Sequence, residues 1–282
     1  WAQRVHWSAH RDGYVMLGVT GPNEYENNVN NNWYTNYLAA WCLKYAVELV
    51  RRFHAEVGED ELAQWTDIAA RMCLPQQKDT HIRLQQDGFL DKDLMLAAEL
   101  PDEVRPINQV WSWDRILRSC FIKQADVLQG FYFFPDDFSQ DELRDNFDFY
   151  EPMTVHESSL SPCVHGILAS RLGRSDKALE MYLRTSRLDL DDYNAEAYQG
   201  LHITSMAGTW MAVVEGFGGF RVVDGVPTFQ TMLPEGWSSF AFKLQFRGRT
   251  LEVSVNADGA DVALLSGDAL SVAVNGRTLD LA

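Results

Sequence analysis

The segment Gly21–Asn36 carries the residue types that could act on a sugar. It opens with a Gly-Pro turn, places Glu24 and Glu26 in that turn, and continues with asparagines and aromatic residues. Amide groups exchange hydrogen bonds with hydroxyls. A carboxyl group in a partly dry pocket keeps its proton and can serve as a general acid. The alternative is a carboxylate favoured by the dipole at a helix start, which suits Glu26 better than Glu24.

Three further clusters contain candidate binding residues. Lys123 and Gln124 can donate hydrogen bonds to sugar hydroxyls, or can belong to a solvated helix face. The segments 154–162 and 202–209 each place a histidine and hydroxyl residues at a predicted helix start. Such a start offers unpaired N–H groups to an anion, although ordinary capping explains the same residues. Two clusters of this kind in one acidic chain favour a bound oxyanion.

The charge of the chain limits its partners. With 24 lysine and arginine residues against 40 aspartate and glutamate residues, the 282-residue chain has a net charge of −16. Such a surface repels nucleic acid and anionic membranes, so we expect neither as a partner. A phosphate site would then need locally focused positive charge or hydrogen-bond donors. The length exceeds that of most single domains and predicts two units.

The sequence carries no signal for secretion, membrane insertion or metal binding. Its four cysteines lie among apolar residues, which predicts buried thiols in a reducing, cytoplasmic compartment. No apolar run approaches the roughly 20 residues of a membrane helix. No nucleotide or zinc motif occurs, so we expect no metal and no cofactor. Because Trp1 stands inside what reads as continuous structure, we expect a piece of a longer protein.

Hydrophobic periodicity predicts a mainly helical chain as far as about residue 217. Helices are predicted over 29–57, 59–73, 114–133, 140–149, 162–172, 175–188 and 204–217, with a long loop over 76–93. Ser161-Pro162 reads as an N-cap followed by proline at the first helical position. Periodicity alone does not choose between a toroid and a bundle.

After about Arg221 the pattern becomes an alternation of apolar and polar residues, which is typical of antiparallel strands. Strands are predicted at 240–246, 251–256, 262–265 and 270–274, and Asn275-Gly276 is a strong hairpin signal. The sequence therefore predicts about seven helices followed by a small β sandwich or sheet.

Five motifs give the chain a family resemblance. They span residues 18–36, 85–89, 123–127, 154–162 and 201–210. In these motifs the chain resembles the C-terminal part of the maltose phosphorylases of glycoside hydrolase family 65, which also contains trehalose and kojibiose phosphorylases. Five long motifs in the same order are far more specific than any one of them.

The resemblance implies a fold and an assembly. Residues 1–220 would form the second half of an (α/α)6 toroid, the six-hairpin glycosidase architecture, and residues 221–282 a small antiparallel β domain. Family members carry an N-terminal β sandwich, a linker and the first barrel helices before this part. The full-length enzyme is expected to be a homodimer.

The resemblance also implies site residues and a reaction. Glu24 matches the general acid, Lys123 and Gln124 match the glucosyl subsite, and the phosphate-binding region is matched by Ser158, Ser159, His202, Thr204 and Gly208. The implied glycosyltransferase of carbohydrate metabolism cleaves an α-glucoside, most simply maltose, to β-glucose 1-phosphate and glucose with inversion. Inorganic phosphate is the co-substrate and the nucleophile, so no base is needed to activate water. The acid and the phosphate are expected on opposite faces of the glucosyl ring.

Two other functions stay open. An inverting α-glucoside hydrolase of the same fold, of the acid trehalase kind, should place a carboxylate where phosphate binds. The segment Gly200–Ser205 contains no acidic residue, and Glu157 belongs to the family motif, so phosphorolysis is favoured. Alternatively, the chain is an inactive fragment with a carbohydrate-binding or structural role. The sequence does not specify the disaccharide among maltose, trehalose, kojibiose and nigerose.

Overall fold

Helices dominate the chain as far as Phe217 and strands follow from Arg221, as the sequence predicts. The computed structural model describes all residues from Trp1 to Ala282. Two compact units are present, Trp1–Glu157 and Ser158–Ala282, and each is described by itself. No helix combines the length and the apolar character that crossing a bilayer requires.

The first unit begins with a small antiparallel sheet of β1 (His6–Ser8) and β2 (Gly13–Val15). Six α-helices follow: α1 (Trp33–Phe53), α2 (Glu59–Ala70), α3 (Ile107–Val110), α4 (Trp113–Arg118), α5 (Val127–Phe133) and α6 (Gln140–Tyr150). Short 3-10 helices lie at Phe89–Asp91, Ala97–Glu99, Asp102–Val104 and Glu151–Met153.

Helix α1 begins later than its hydrophobic pattern predicts. Val29 pairs with Val19 in an isolated antiparallel bridge, which keeps the chain extended before the helix. Asn32 then caps α1, and its side-chain oxygen accepts a hydrogen bond from the backbone N–H of Thr35 at 2.9 Å. The buried stripe of the helix consists of Trp33, Asn36, Ala39, Leu43 and Val47. The start of α1 is therefore fixed by a cap next to Glu24's turn.

The helix predicted over 114–133 is wrong in its middle. Residues 119–126 separate α4 from α5 and are not helical. Ser119 forms a parallel bridge to Asp93, and Ile122 forms one to Thr154. A buried extended segment and a buried helix have the same apolar composition, so periodicity did not distinguish them. The break matters because Lys123 lies in it.

The second unit begins with four α-helices: α7 (Ser161–Arg171), α8 (Ser175–Ser186), α9 (Leu188–Asp191) and α10 (Ile203–Met211). A π-helix, Ala212–Phe217, continues α10 directly. The N-cap of α7 is Leu160 rather than the predicted Ser161, which is the first helical residue, and Pro162 lies in the first turn as expected.

Seven strands form the C-terminal part of the second unit. They are β3 (Arg221–Val223), β4 (Val226–Phe229), β5 (Ser239–Phe246), β6 (Arg249–Asn256), β7 (Gly259–Ser266), β8 (Leu270–Val274) and β9 (Arg277–Leu281). One sheet has the order β3-β4-β8-β9 and the other β5-β6-β7. All neighbours are antiparallel except β4 and β8.

Residues from both sheets share one hydrophobic cluster, which includes Phe229, Leu251 and Val272. The turn predicted at Asn275-Gly276 is confirmed: Val274 pairs with Arg277, and both turn residues have positive φ angles, 48° and 78°. Two consecutive left-handed residues are what a type I′ hairpin requires. This small sheet domain is therefore specified locally by its alternation and its turn.

Candidate active site

Glu24 lies in a turn whose neighbours on both sides are buried. Its own side chain is 58% exposed, whereas Asn23, Tyr25 and Glu26 are buried. The hydroxyl of Tyr25 donates to a carboxylate oxygen of Glu157 at 2.5 Å, and the N–H of Glu26 donates to the carbonyl of Asn23 at 3.0 Å. The turn therefore presents one carboxyl group to solvent from a backbone that is anchored on either side.

The segment Lys123–Asp126, here called the clamp segment, holds this turn. The N–H of Lys123 donates to Oδ1 of Asn23 at 2.9 Å. The side-chain amide of Gln124 donates to the carbonyl of Pro22 at 2.7 Å. A carboxylate oxygen of Asp126 accepts from the N–H of Asn23 at 3.1 Å. Three residues of the clamp segment thus form hydrogen bonds with the two residues before Glu24.

Lys123 also contacts the candidate acid directly. Its Nζ lies 2.5 Å from Oε2 of Glu24, an ion pair in which the lysine side chain is 24% exposed. The structure therefore brings Glu24, Lys123 and Gln124 together, as a common site requires. Gln124 is buried, and its hydrogen bond to Pro22 supports the turn. The contact of Gln124 with a sugar stays a prediction.

Asp126 is the buried carboxylate of the clamp. Its two oxygens lie 3.0 and 3.2 Å from Nδ2 of Asn32, in addition to the bond from Asn23. Burial raises the pKa of Asp126 to about 7, and the charge of Glu26 adds to this rise, while the two asparagine donors oppose it. Asp126 is thus a buried member of the clamp segment and does not belong to a solvated helix face.

Gly21 is required by the close approach of the turn to these two side chains. A Cβ at position 21 would lie 2.4 Å from Nδ2 of Asn32 and 2.5 Å from Oδ2 of Asp126. Both atoms are held in hydrogen bonds, so neither can give way without a loss. The glycine of the Gly-Pro turn is therefore a packing requirement rather than a conformational one.

Glu26 and Glu157 anchor the turn from the other side. Glu26 forms a buried ion pair with Lys92, and burial raises the pKa of the Glu26 carboxyl. Both carboxylate oxygens of Glu157 lie 3.0 Å from the backbone N of Ile107, in addition to the bond from Tyr25. These carboxylates are occupied by protein donors, which leaves Glu24 as the exposed member of the group.

Four of the seven asparagines of 21–36 are buried, namely Asn23, Asn31, Asn32 and Asn36, whereas Asn27, Asn28 and Asn30 are exposed. Asn31 accepts from the N–H of Met16 at 3.0 Å, and Asn36 donates to the carbonyl of Cys73 at 2.7 Å. Asn32 donates to the carbonyl of Gln85 at 3.1 Å. These buried amides satisfy backbone groups that have left water. They are internal supports of the turn.

Two of the three aromatic residues of the same segment are likewise internal. Trp33 is 1% exposed and packs against Tyr37, Phe131 and Phe138, with ring centroids 5.0–6.0 Å apart. Tyr25 is buried as well, whereas Tyr34 is partly exposed. Neither Tyr25 nor Trp33 therefore presents an open ring face on which a pyranose could stack.

The predicted phosphate residues fall in the second unit and form a cluster of their own. Oγ of Ser159 lies 2.8 Å from Oγ1 of Thr204. Oγ of Ser158 accepts from the N–H of Leu160 at 3.2 Å, just before α7. The structure therefore joins the two sequence clusters that lie before α7 and at the start of α10.

His202 is held by Asp189. Its Nδ1 lies 2.5 Å from Oδ1 of Asp189, and its backbone N–H donates to Oδ2 at 2.9 Å. The bonds from His202 lower the pKa of the Asp189 carboxyl. Oε2 of Glu196 lies 4.0 Å from Nε2 of His202. The segment 200–205 contains no acidic residue, but the structure brings the carboxylate of Asp189 to His202 from α9.

Gly208 has a packing role in this unit. It lies in the second turn of α10, and a Cβ there would lie 2.9 Å from Cβ of Cys163 on α7 and 3.2 Å from Cγ2 of Thr185 on α8. The glycine lets α10 approach both helices closely. Whether Gly208 also contacts phosphate stays a prediction.

The cysteines are all free thiols. Cys120 and Cys163 are buried, as predicted, whereas Cys42 and Cys73 are only partly so. Burial raises the pKa of the Cys163 thiol to about 11, which keeps it protonated and unreactive near neutral pH.

Comparison with known families decides the identity of this arrangement. Residues 1–211 match the domain described as "Glycosyl hydrolase family 65 central catalytic domain". Residues 220–281 match the domain described as "Glycosyl hydrolase family 65, C-terminal domain". The chain belongs to glycosyl hydrolase family 65. Residues 212–219, which include the π-helix, lie between the two matches.

Several relatives resemble this family 65 chain. It is 51% identical over 97% of its length to a maltose phosphorylase of Bacillus subtilis, and 39% identical over 90% to an α,α-trehalose phosphorylase of Thermoanaerobacter brockii. It is 36% identical over its whole length to a kojibiose phosphorylase of Halothermothrix orenii. The chain spans 37%, 34% and 38% of these three proteins.

A solved structure described as a candidate kojibiose phosphorylase from the human microbiome superposes with a TM-score of 0.92 at 33% identity. The match covers 99% of this chain and 42% of that one. The family and the fold are thereby established for the residues present, and the activity of a complete protein is a separate question.

The buried state of Asp126 predicts an unusual dependence of stability on pH. Because its pKa is raised on folding, from 3.8 to about 7, the folded chain binds a proton that the unfolded chain has released between these values. The stabilisation from this group is complete below about pH 4 and is lost as the pH rises to about 7. We expect the stability of the natural protein relative to Asp126→Asn to fall across this window and then level off.

Denaturant unfolding at pH 4 to 8 measures this difference. Asp67→Asn is the control, because hydrogen bonds from Arg71 and Tyr14 lower the pKa of Asp67 from its ordinary 3.8, so the contribution of Asp67 stays constant across this range and is lost only at lower pH. Parallel stability curves for the natural protein and Asp126→Asn between pH 4 and 7 would contradict the prediction.

Proposed function

We propose that this chain contributes the acid and the phosphate site of an inverting disaccharide phosphorylase, with maltose as its disaccharide. The observation that carries the proposal is the turn of Glu24: one exposed carboxyl on an anchored backbone, paired with Lys123. The identity of 51% to a maltose phosphorylase, against 39% and 36% to trehalose and kojibiose phosphorylases, supports maltose.

Glu24 would protonate the glycosidic oxygen as the bond to the anomeric carbon breaks. General acids act from a fixed position, within hydrogen-bond reach of the atom that receives the proton. The clamp segment supplies that fixed position. Lys123 holds the carboxyl in the free protein and, in this proposal, turns to a hydroxyl of the glucosyl group when sugar binds, with Gln124 supporting the same subsite.

Phosphate would replace the water and the base of a hydrolase. Its oxygen attacks the anomeric carbon directly, so the products are β-glucose 1-phosphate and glucose. The hydroxyls of Ser158, Ser159 and Thr204 and the ring of His202 would hold the anion. Gly208 contributes by letting α10 pack closely.

The Asp189–His202 pair favours phosphorolysis over hydrolysis. A base that activates water needs a carboxylate with a free oxygen and an adequate pKa. Asp189 accepts two hydrogen bonds from His202, and these bonds lower its pKa, so it makes a poor base. A carboxylate bonded to Nδ1 instead orients the imidazole. For Nε2 to face an anion, the Glu196 carboxylate, which lies 4.0 Å from it, would have to turn away.

The wider organisation is part of the same proposal. Residues 1–220 would belong to the second half of an (α/α)6 toroid and residues 221–282 to a separate β domain, in a cytoplasmic homodimer that uses neither metal nor cofactor. Disaccharide and phosphate would be its only ligands.

Dependence on phosphate tests the reaction. We expect the full-length protein to consume maltose only when inorganic phosphate is present, and to release hexose 1-phosphate and glucose in equal amounts. Release of two glucose molecules without phosphate would favour the hydrolase. Turnover by the full-length protein but not by residues 1–282 would assign this chain a partial role, and no turnover by either would reject the proposal.

Glu24→Gln in the full-length protein should lower kcat on maltose by about 10²- to 10⁴-fold, the range that general acids contribute. Its circular dichroism and melting temperature should be unchanged, because the Glu24 side chain is exposed. Glu252→Gln is a matched control, since it removes a carboxylate from another lysine pair, Lys243–Glu252, at 3.3 Å. Near-normal turnover by Glu24→Gln would remove Glu24 from the acid role.

His202→Ala should raise the KM for phosphate by about tenfold, roughly the 1.4 kcal/mol expected when one charged hydrogen bond is lost. The KM for the disaccharide should change much less. His81→Ala serves as control, because His81 also forms a pair with an aspartate, Asp145, at 2.8 Å on an exposed surface. An unchanged phosphate KM in steady-state kinetics would argue against His202 as a phosphate ligand.

A further inference from the structure

We propose that Asp126 is a positioning residue for the general acid: through Asn23 and Asn32 it fixes the backbone from which Glu24 delivers its proton. This inference rests on the proposed function of Glu24. Asp126 itself does not touch Glu24 in the contacts described, so its action on the reaction is indirect.

The first support is that the Asp126 side chain does not cap the helix that it precedes. Asp126 immediately precedes α5, a position at which aspartate usually caps the helix with its own carboxylate. Here it forms no such cap. The carboxylate instead points to the N–H of Asn23 and to Nδ2 of Asn32. Asp126 therefore forms its side-chain hydrogen bonds with the segment before α1 and not with α5.

The second support is the number of elements that meet at this carboxylate. Asn32 is the N-cap of α1 and also donates to the carbonyl of Gln85. Asn23 accepts from the N–H of Lys123 and of Tyr25 with its side-chain oxygen. Asp126 thus connects the starts of α1 and α5 with the residue that immediately precedes Glu24.

The third support is the tight packing around the turn. Gly21 leaves no space for even one added carbon between the backbone, Asn32 and Asp126. A tightly packed group transmits a displacement to its neighbours instead of absorbing it. A change at Asp126 therefore has to move the turn, and with it the Glu24 carboxyl.

The amide of asparagine cannot replace the Asp126 side chain, because both Asp126 oxygens face N–H donors. Oδ2 accepts from the N–H of Asn23, and Oδ1 lies 3.0 Å from Nδ2 of Asn32. Asparagine at this position has one oxygen, and its NH2 group would face either the N–H of Asn23 or the NH2 of Asn32. Asp126→Asn keeps the volume and shape and disrupts only the hydrogen bonds, which makes it the sharpest substitution.

The test compares two leaving groups with the same glucosyl donor. With a disaccharide, the C–O bond breaks and the departing oxygen takes the proton of the acid. With α-glucosyl fluoride, the phosphate oxygen attacks, the C–F bond breaks and fluoride leaves with the electron pair, so the need for an acid is much smaller. A loss confined to acid positioning affects the first reaction selectively, whereas a general disturbance of the site affects both.

We expect Asp126→Asn in the full-length protein to lower kcat on maltose plus phosphate by about 10- to 100-fold, since a misplacement of about 1 Å costs up to 10²-fold. Fluoride release from α-glucosyl fluoride plus phosphate should change less than about threefold, and so should both KM values. Asp67→Asn, an aspartate of α2 that accepts from Tyr14 at 2.8 Å, should leave both reactions unchanged.

Glu24→Gln, measured on the same two donors, distinguishes the acid role of Glu24 from the positioning role of Asp126. If it shows the selective loss and Asp126→Asn reduces both reactions equally or neither, the positioning role is wrong while the acid role stands. If Glu24→Gln itself shows no selectivity, the acid assignment fails, and the positioning role fails with it.

Gly21→Ala gives a second route should Asp126→Asn not fold. It pushes against Asn32 and Asp126 without removing any polar group. We expect the same selective loss on maltose, and an equal loss on both donors would overturn the proposal.

Discussion

A single buried carboxylate organises the candidate acid site of this family 65 chain. Asp126 has left water, which is costly for a charged group unless donors surround it. Those donors are the N–H of Asn23 and the amide of Asn32, and the space they need is available only because residue 21 is glycine. The identities of several motif residues thus follow from the need to satisfy one group.

The asparagine-rich segment has the same explanation. A turn that must stay in place between a helix start and a loop buries several backbone N–H and carbonyl groups. Asparagine offers both a donor and an acceptor on a short side chain, so Asn31 and Asn36 can bond to Met16 and Cys73. Four of the seven asparagines of this segment are buried in this way, whereas Asn27, Asn28 and Asn30 are exposed, as is Glu24.

In the second unit, too, a carboxylate is hydrogen-bonded within the protein, which matters because the chain has a strong negative charge. An anion is repelled by free carboxylates. The carboxylate nearest to His202 belongs to Asp189, and that of Glu196 lies 4.0 Å from Nε2. That carboxylate is occupied by hydrogen bonds from the histidine, so its charge supports the ring. The hydroxyls of Ser159, in the turn before α7, and of Thr204, in the first turn of α10, lie together and would complete the donors of the proposed phosphate site.

The sequence alone determined the family, the succession of helices and strands, and the hairpin at Asn275-Gly276, because motifs, periodicity and turn chemistry are local properties. It also singled out Glu24 and Lys123. Tertiary structure decided which polar groups are occupied: Asp126 bonds across about a hundred residues to Asn23, and Asp189 reaches His202 from a neighbouring helix. Burial and hydrogen bonding depend on what packs around a residue, so neither can be read from its immediate neighbours in the chain.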